Sequence, residues 1–378
     1  MLSRAISILG GLVRIPSVSA NSNRPVSNVI RQILQNQGFL IEEQTYRDGK
    51  GIEKVSLIAT RGTGSGGVLY CAHSDVVPVD SWSYSEAGPF EFHQTADRIY
   101  SRGSCDMKGS LACFLAAAEK FAEHNLQAPL SVIVTADEEL GFVGAEHVSK
   151  NSALFRQLVD QQPLTIIGEP TLLNVVHAHK GIYVFQATSK GRAGHSSTLE
   201  AINANVKMIP FLNTMYEIYQ ETLTDPTWSH DAFDPPLISW NIGINDFTYA
   251  SNIAPERSVC TVSFRPMPDQ PIEKLMDRVR AAAEMNGLIL EIDHAAPPFF
   301  VPADAPHIQQ MLSYTGQEKA KTVSYASDAA MFGELKRMII CGPGDIVQAH
   351  TDDEWIAIDQ LEKGTNLYSK LIKELCCS

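Results

Sequence analysis

Along the chain, short apolar runs alternate with longer amphipathic stretches, and the two periods separate strands from helices. Residues 55–59 and 68–72 are rich in Val, Leu and Ile and predict strands. Residues 130–136, 164–168 and 337–341 are almost unbroken apolar runs, as expected of strands covered on both faces. Residues 107–122, dense in Ala, Leu and Phe, predict a strong helix. This alternation predicts an α/β unit with a mostly parallel central sheet, to which 337–341 returns from far away in sequence.

A different order occupies the middle of the chain. Residues 183–188 predict a strand, 201–219 a helix, 237–244 and 259–265 two strands, 272–285 a helix and 288–292 a last strand. The order β-α-β-β-α-β is that of a ferredoxin-like sandwich. The expected organisation is a discontinuous domain, 1–180 and 294–378, interrupted by an inserted α+β domain over 181–293. Internal repeats and low-complexity tracts are absent.

Composition narrows the function classes. The 378 residues carry 30 Lys and Arg against 43 Asp and Glu, a net charge of −13. That balance argues against nucleic acid, whose phosphates need a basic face. The 7 cysteines are odd in number and contain no CxxC pair, so they predict no disulfide framework and fit a reducing cytoplasm. The opening MLSRAISILGGLVRIPSVSA has two glycines in its apolar run, an early Arg14 and no A-x-A pattern. An amphipathic first helix accounts for it better than an export signal. No run reaches the ~18 apolar residues of a membrane span. Residues 62–67, GTGSGG, imitate a dinucleotide fingerprint, but a strand follows the glycines where that fingerprint requires a helix. A turn between strands is expected there, with no nicotinamide cofactor.

The candidate chemistry lies at the predicted strand ends. The 68–72 run leads into His73-Ser-Asp75, 130–136 into Asp137-Glu138-Glu139, and 164–168 into Glu169. Asp106 precedes the 107–122 helix, and His350 follows the loop after 337–341. Each has an ordinary reading alone: a surface turn, a helix cap, a solvated acidic edge. Together they bring imidazole and carboxylate to one edge of one sheet, where open α/β sheets bind ligands. Two imidazoles with several carboxylates suit zinc or cobalt better than calcium or magnesium.

The segments AHSDVVPVD, SRGSCDMKGS, TADEELGFVGAEH, IIGEPT, GRAGHSS and CGPGDIVQAHTDDEW resemble the successive motifs of the M20 metallopeptidase and deacylase family, over nearly the whole chain. The resemblance implies a zinc-exopeptidase-like catalytic domain with an inserted dimerisation domain. It also implies two Zn2+ per subunit, with Co2+ as a substitute, sharing Asp106. His73 and Glu169 would complete one site, Glu139 and His350 the other. Asp75 would hold the second nitrogen of His73, and Glu138 would be the general base. In the inserted domain, His195, Asn252 and Arg265 match substrate-binding positions. The histidine is supplied by the partner subunit of a homodimer in such proteins. Without the resemblance, Arg265 reads as a strand-edge arginine and His195 as a loop histidine.

The implied activity is hydrolysis of the N-acyl amide of an amino acid. The likeness is nearest to the branch acting on N-acetyl-L-ornithine, which yields ornithine and acetate in arginine biosynthesis. Succinyl-diaminopimelate desuccinylase, general aminoacylase, dipeptidase and carboxypeptidase activities are the alternatives within the family. A non-catalytic metal-binding dimer scaffold is the alternative outside it, against which the intact Glu138 counts. Asp328 is a further candidate, either as a carboxylate facing the substrate's ammonium or as the cap of a helix over 329–335. The thiol of Cys105, beside Asp106, reads as buried and inert, with metal competition or oxidation as the alternative.

Overall fold

The computed structural model describes residues Met1–Cys377, which divide into two compact units. The first comprises Met1–Ala178, Val301–Lys321 and the chain from Ser327 onward; the second comprises His179–Phe300 and Thr322–Ala326.

The first unit is built on a twisted mixed sheet. Its strands lie in the order Leu40–Arg47, Glu53–Arg61, Leu130–Thr135, Val68–His73, Leu164–Pro170, Met338–Gly342, Val176–His179. The central four are mutually parallel, and the flanking strands are antiparallel. Val68–His73 and Leu130–Thr135 are buried at every position, which is why they read as continuous apolar runs. The edge strand Leu40–Arg47 escapes sequence reading because it is polar and half exposed. The GTGSGG segment is a turn, with Gly64 at φ +108°. It joins two strands that are not neighbours, since Leu130–Thr135 lies between them.

Register aligns the chemistry. His73 pairs with Thr135, and Val68 pairs with both Leu130 and Leu164, so these strands end at one level. At that level Met338–Gly342 presses against Leu164–Pro170. A Cβ at Gly342 would lie 2.1 Å from the Gly168 carbonyl oxygen, an approach only glycine permits. Helix Lys108–Glu119 is buried along almost its whole length between helices Leu2–Val13 and Ile358–Cys376. A polar stitch crosses this layer: Tyr70 donates to Ser110 at 2.7 Å, and Tyr368, 3.0 Å from Ser110, donates to the Cys341 carbonyl. No helix among the described residues is long and apolar enough to cross a membrane.

The second unit holds a four-stranded antiparallel sheet in the order Ser239–Asn245, Arg257–Arg265, Ile182–Lys190, Ile289–Ala296. Helices Ala204–Thr224 and Ile272–Met285 pack on it and on each other. Strand order 2-3-1-4 with two crossing helices is the ferredoxin-like arrangement. Pro210 lies inside the longer helix.

Candidate active site

Three parallel strand ends and two loops deliver the site. His73 closes its strand, with its ring 1% exposed. Its Nε2 lies 3.0 Å from Asp106 Oδ1, and its Nδ1 lies 3.0 Å from the main-chain oxygen of Asp75. The Asp75 carboxylate is 3.7 Å from that nitrogen and does other work. It accepts the N–H groups of Glu138 and Glu139 and the hydroxyl of Ser19. Asp75 thus orients the imidazole through its carbonyl and the glutamate turn through its carboxylate.

Asp106 does not cap the following helix, whose N-cap position belongs to Met107. Its carboxylate instead meets two imidazoles, with His350 Nε2 3.3 Å from Oδ2. His350 also approaches Glu139 at 3.0 Å. Two donor groups follow, His73–Asp106–Glu169 and Asp106–Glu139–His350, each with ligand atoms within 4.8 Å of one another. Asp106 belongs to both. Glu138 joins His73 and Glu139 in a third such group, so distance alone leaves it either a ligand or a base.

The turn carrying the glutamates is strained and clamped. Asp137 in this turn has φ +52°, and His350 on its own loop has φ +62°, left-handed conformations that cost side-chain-bearing residues free energy. Asp137 is held by Lys54 at 2.7 Å and Tyr46 at 2.8 Å, and Lys54 is completely buried. Neither partner is distinguishable by sequence, since both sit on strands remote from the motifs.

Electrostatics follow from crowding carboxylates in a dry site. Burial pushes Glu138 and Glu169 well above the usual carboxylate range, and neighbouring anions add to this. Glu139 is also raised, chiefly by burial, although His350 opposes the shift. Asp106 is driven the other way: bonds to His350 and His73 outweigh burial and hold it ionised. His350 is raised to about 10 by Asp106 and Glu139. The donor chemistry, imidazole and carboxylate converging on a shared Asp106, fits divalent cations, whose charge offsets this repulsion.

Asp328 is buried beside this region. Its Oδ2 accepts the Thr135 hydroxyl at 2.5 Å, whereas Oδ1 has no hydrogen-bond partner. Burial raises it to about 7. The expected helix over 329–335 is a single 3₁₀ turn, Asp328–Met331, capped by the Ser327 hydroxyl, so Asp328 is not its cap. Cys105 is fully buried, and its raised thiol donates to the Asp345 carbonyl.

In the second unit, a short ladder pairs Gly194–His195 with Ile253–Ala254, bringing His195 beside the segment of Asn252. His195 is exposed, with Nδ1 2.7 Å from Ser197 Oγ. The Asn252 carbonyl accepts the Ser196 N–H. Arg265 ends its strand opposite Ser239, and burial lowers its guanidinium.

A mixed sheet with parallel central strands, whose ends and adjoining loops gather two imidazoles and a set of buried carboxylates, is an arrangement suited to a metal-dependent hydrolase. The chain belongs to the Peptidase family M20/M25/M40, whose match spans residues 69–374. It is 31% identical over 388 residues to an acetylornithine deacetylase of Proteus mirabilis (strain HI4320), covering 98% of this chain and 96% of that protein. In fold it is similar to an M20 family metallo-carboxypeptidase from Sulfolobus solfataricus, with TM-score 0.77, 18% identity and 98% of each chain covered. It is also similar to a dinuclear metal-binding peptidase of the M20 family from Bacillus subtilis, with TM-score 0.63 and 14% identity over 98% of this chain and 97% of that one. The protein is a hydrolase of this family, and its residue groups are of a kind that holds metal.

Proposed function

We propose that the protein hydrolyses the N-acyl amide of an amino acid, with N-acetyl-L-ornithine as substrate. The observation that carries the reading is the pair of donor groups sharing Asp106, with Glu138 beside them. His73 and Glu169 would hold one cation, Glu139 and His350 the other, and Asp106 both. Imidazole and carboxylate donors suit zinc, with cobalt as a substitute. Two such ions supply Lewis acidity toward the amide carbonyl and toward water.

The chain's own residues do the rest. Glu138 takes a proton from the attacking water as the new carbon–oxygen bond forms. It then passes that proton to the amine nitrogen as the carbon–nitrogen bond breaks. Burial raises its affinity for protons, which favours holding the proton between the two steps. Arg265 grips the substrate's α-carboxylate through its planar fork, and among the described residues no carboxylate pairs with it. Asn252 contacts the substrate beside His195, which donates to the developing oxyanion. Asp328, with its unpartnered oxygen, receives the ornithine ammonium.

Residues 181–293 serve as the dimerisation and lid domain, and residues 1–180 with 294–378 as the catalytic domain. Helix Ala204–Thr224 supports a homodimer, because it exposes Val206 and Ile209 at 64% and 60%, and edge strand Ser239–Asn245 exposes Ile244. Large exposed apolar side chains in one region mark a partner surface. His195 would then act in the neighbouring subunit. Seven free thiols favour a cytoplasmic setting.

The test is a hydrolysis panel with zinc- and cobalt-loaded protein. It compares N-acetylornithine, N-acetylmethionine, N-succinyl-diaminopimelate and simple dipeptides. N-acetylornithine should give the highest kcat/KM. A dominant rate on a dipeptide overturns the deacetylase reading, and silence on every substrate favours a metal-binding scaffold.

A further inference from the structure

Glu354 is a buried carboxylate that the reaction above does not use. It is 1% exposed, whereas Asp352 and Asp353 before it are exposed. Its oxygens are fully engaged. Oε1 accepts the main-chain N–H groups of Cys105 at 2.8 Å and Asp106 at 3.0 Å. Oε2 accepts the N–H of Gly103 and Nη1 of Arg102, each at 2.9 Å. All four donors lie in the five residues that end at Asp106. The Glu354 carbonyl extends the grip by accepting the Ser101 N–H at 3.2 Å.

The gripped stretch is a run of turns, tied internally by the Ser104 N–H to the Ser101 carbonyl and the Lys108 N–H to the Gly103 carbonyl, and no strand ladder fixes Asp106 itself. Gly103, at φ +80°, lets it turn where a Cβ would press on Val76 at 2.8 Å. On the other side, Glu354 stands four residues after His350 and opens into strand Trp355–Ala357, which pairs with Arg98–Tyr100. One short segment therefore carries a candidate ligand at one end and clamps the loop of the shared ligand at the other.

We propose that Glu354 is a positioning residue for the metal pair, fixing the main chain at Asp106 relative to the segment of His350. The inference rests on the two-ion reading above. Charge-assisted bonds from N–H groups to a buried carboxylate are short and directional, which is what holding a bridging ligand demands. A glutamine cannot replace it. Its single oxygen can serve the Cys105 and Asp106 pair or the Gly103 and Arg102 pair, and its NH2 then faces donors.

The test titrates metal-free wild-type, Glu354→Gln and Glu354→Asp proteins with Co2+ at 20 °C. Bound Co2+ is followed by visible absorption, affinity by calorimetry and folding by circular dichroism. Wild type should bind two Co2+ per chain. Folded Glu354→Gln should bind them at least about 10-fold more weakly, the usual effect of losing a group behind a metal ligand, with an altered visible band. Folded Glu354→Gln with wild-type affinity and band overturns the inference while leaving the two-ion reading intact. If that variant does not fold, Glu354→Asp carries the same thresholds, since it keeps the charge and withdraws it by one methylene. Failure of both to fold assigns Glu354 to the fold alone and overturns the positioning role. A wild-type chain that binds no pair of ions overturns the two-ion reading and this inference with it.

Discussion

Glu138 and Asp106 are chemically similar, but their surroundings shift them in opposite directions. Burial and neighbouring anions give Glu138 a raised proton affinity, while two imidazoles keep Asp106 ionised. Glu138→Gln should keep both metals and lose about 10²–10⁴-fold in kcat, because the amide retains shape and loses the base. Asp106→Ala should lose metal. Elemental analysis beside kinetics separates the two roles, and equal metal loss in both variants sinks the assignment. Asp328 offers a test in stability. Its folded value of about 7 lies above the ordinary 3.8, so the folded protein holds this proton where the unfolded chain has released it. The contribution is therefore present at low pH and lost as pH rises from about 4 to about 7. In metal-free protein, Asp328→Asn should gain on its parent across that window and level off above it. The ceiling is on the order of 4 kcal/mol at about 1.4 kcal/mol per pH unit. Urea melts at pH 4.5 and 8 measure this; no growth in the difference contradicts the burial argument. The same variant should lose far more kcat/KM on N-acetylornithine than on N-acetylmethionine.

At the scale of elements, the level strand ends are what turn separate motifs into a site. Gly342 permits this, since a side chain there would strike the carbonyls of Gly168 and Glu169 at 2.1 and 2.5 Å. Gly342→Ala should cost about 1–3 kcal/mol as an overpacked contact and should weaken metal binding by moving Glu169. Gly333→Ala, which meets nothing within 4 Å, is the control and should change neither. Calorimetric melting with metal titration checks both. The four central strands were legible from sequence because burial on both faces leaves no polar alternation to confuse the reading. The strand Leu40–Arg47 was not, because its residues are mostly polar and its position comes only from pairing with Glu53–Arg61.

At the scale of the whole molecule, the proposal that His195 acts across a dimer makes a complementation test possible. His195→Ala should cost about 10²–10³-fold in kcat with metal retained, as for loss of one oxyanion donor. Mixed with Glu138→Gln and allowed to exchange subunits, it should regain activity, because one site per heterodimer would be complete. Heterodimers verified by mass spectrometry that stay as inactive as both parents refute donation in trans. Val206→Asp with Ile209→Asp should shift the protein toward monomer in sedimentation and lower its activity in parallel, since both side chains are exposed in the single chain.

The sequence by itself determined the mostly parallel centre of the sheet, the β-α-β-β-α-β order and the polar residues at strand ends, because hydrophobic period and local motif are properties of adjacent residues. It also carried the family resemblance, which the match over residues 69–374 shows. Tertiary structure alone decided which polar residues meet. Nothing local separates Glu354 from Asp353, or marks Lys54 as the cation that holds Asp137, because each contact spans tens to hundreds of residues. It also decided that the Asp75 carboxylate serves the glutamate turn while its carbonyl meets His73, a division fixed by backbone direction. Period and motif act along the chain; hydrogen-bond partnership is settled only when distant segments are packed together out of water.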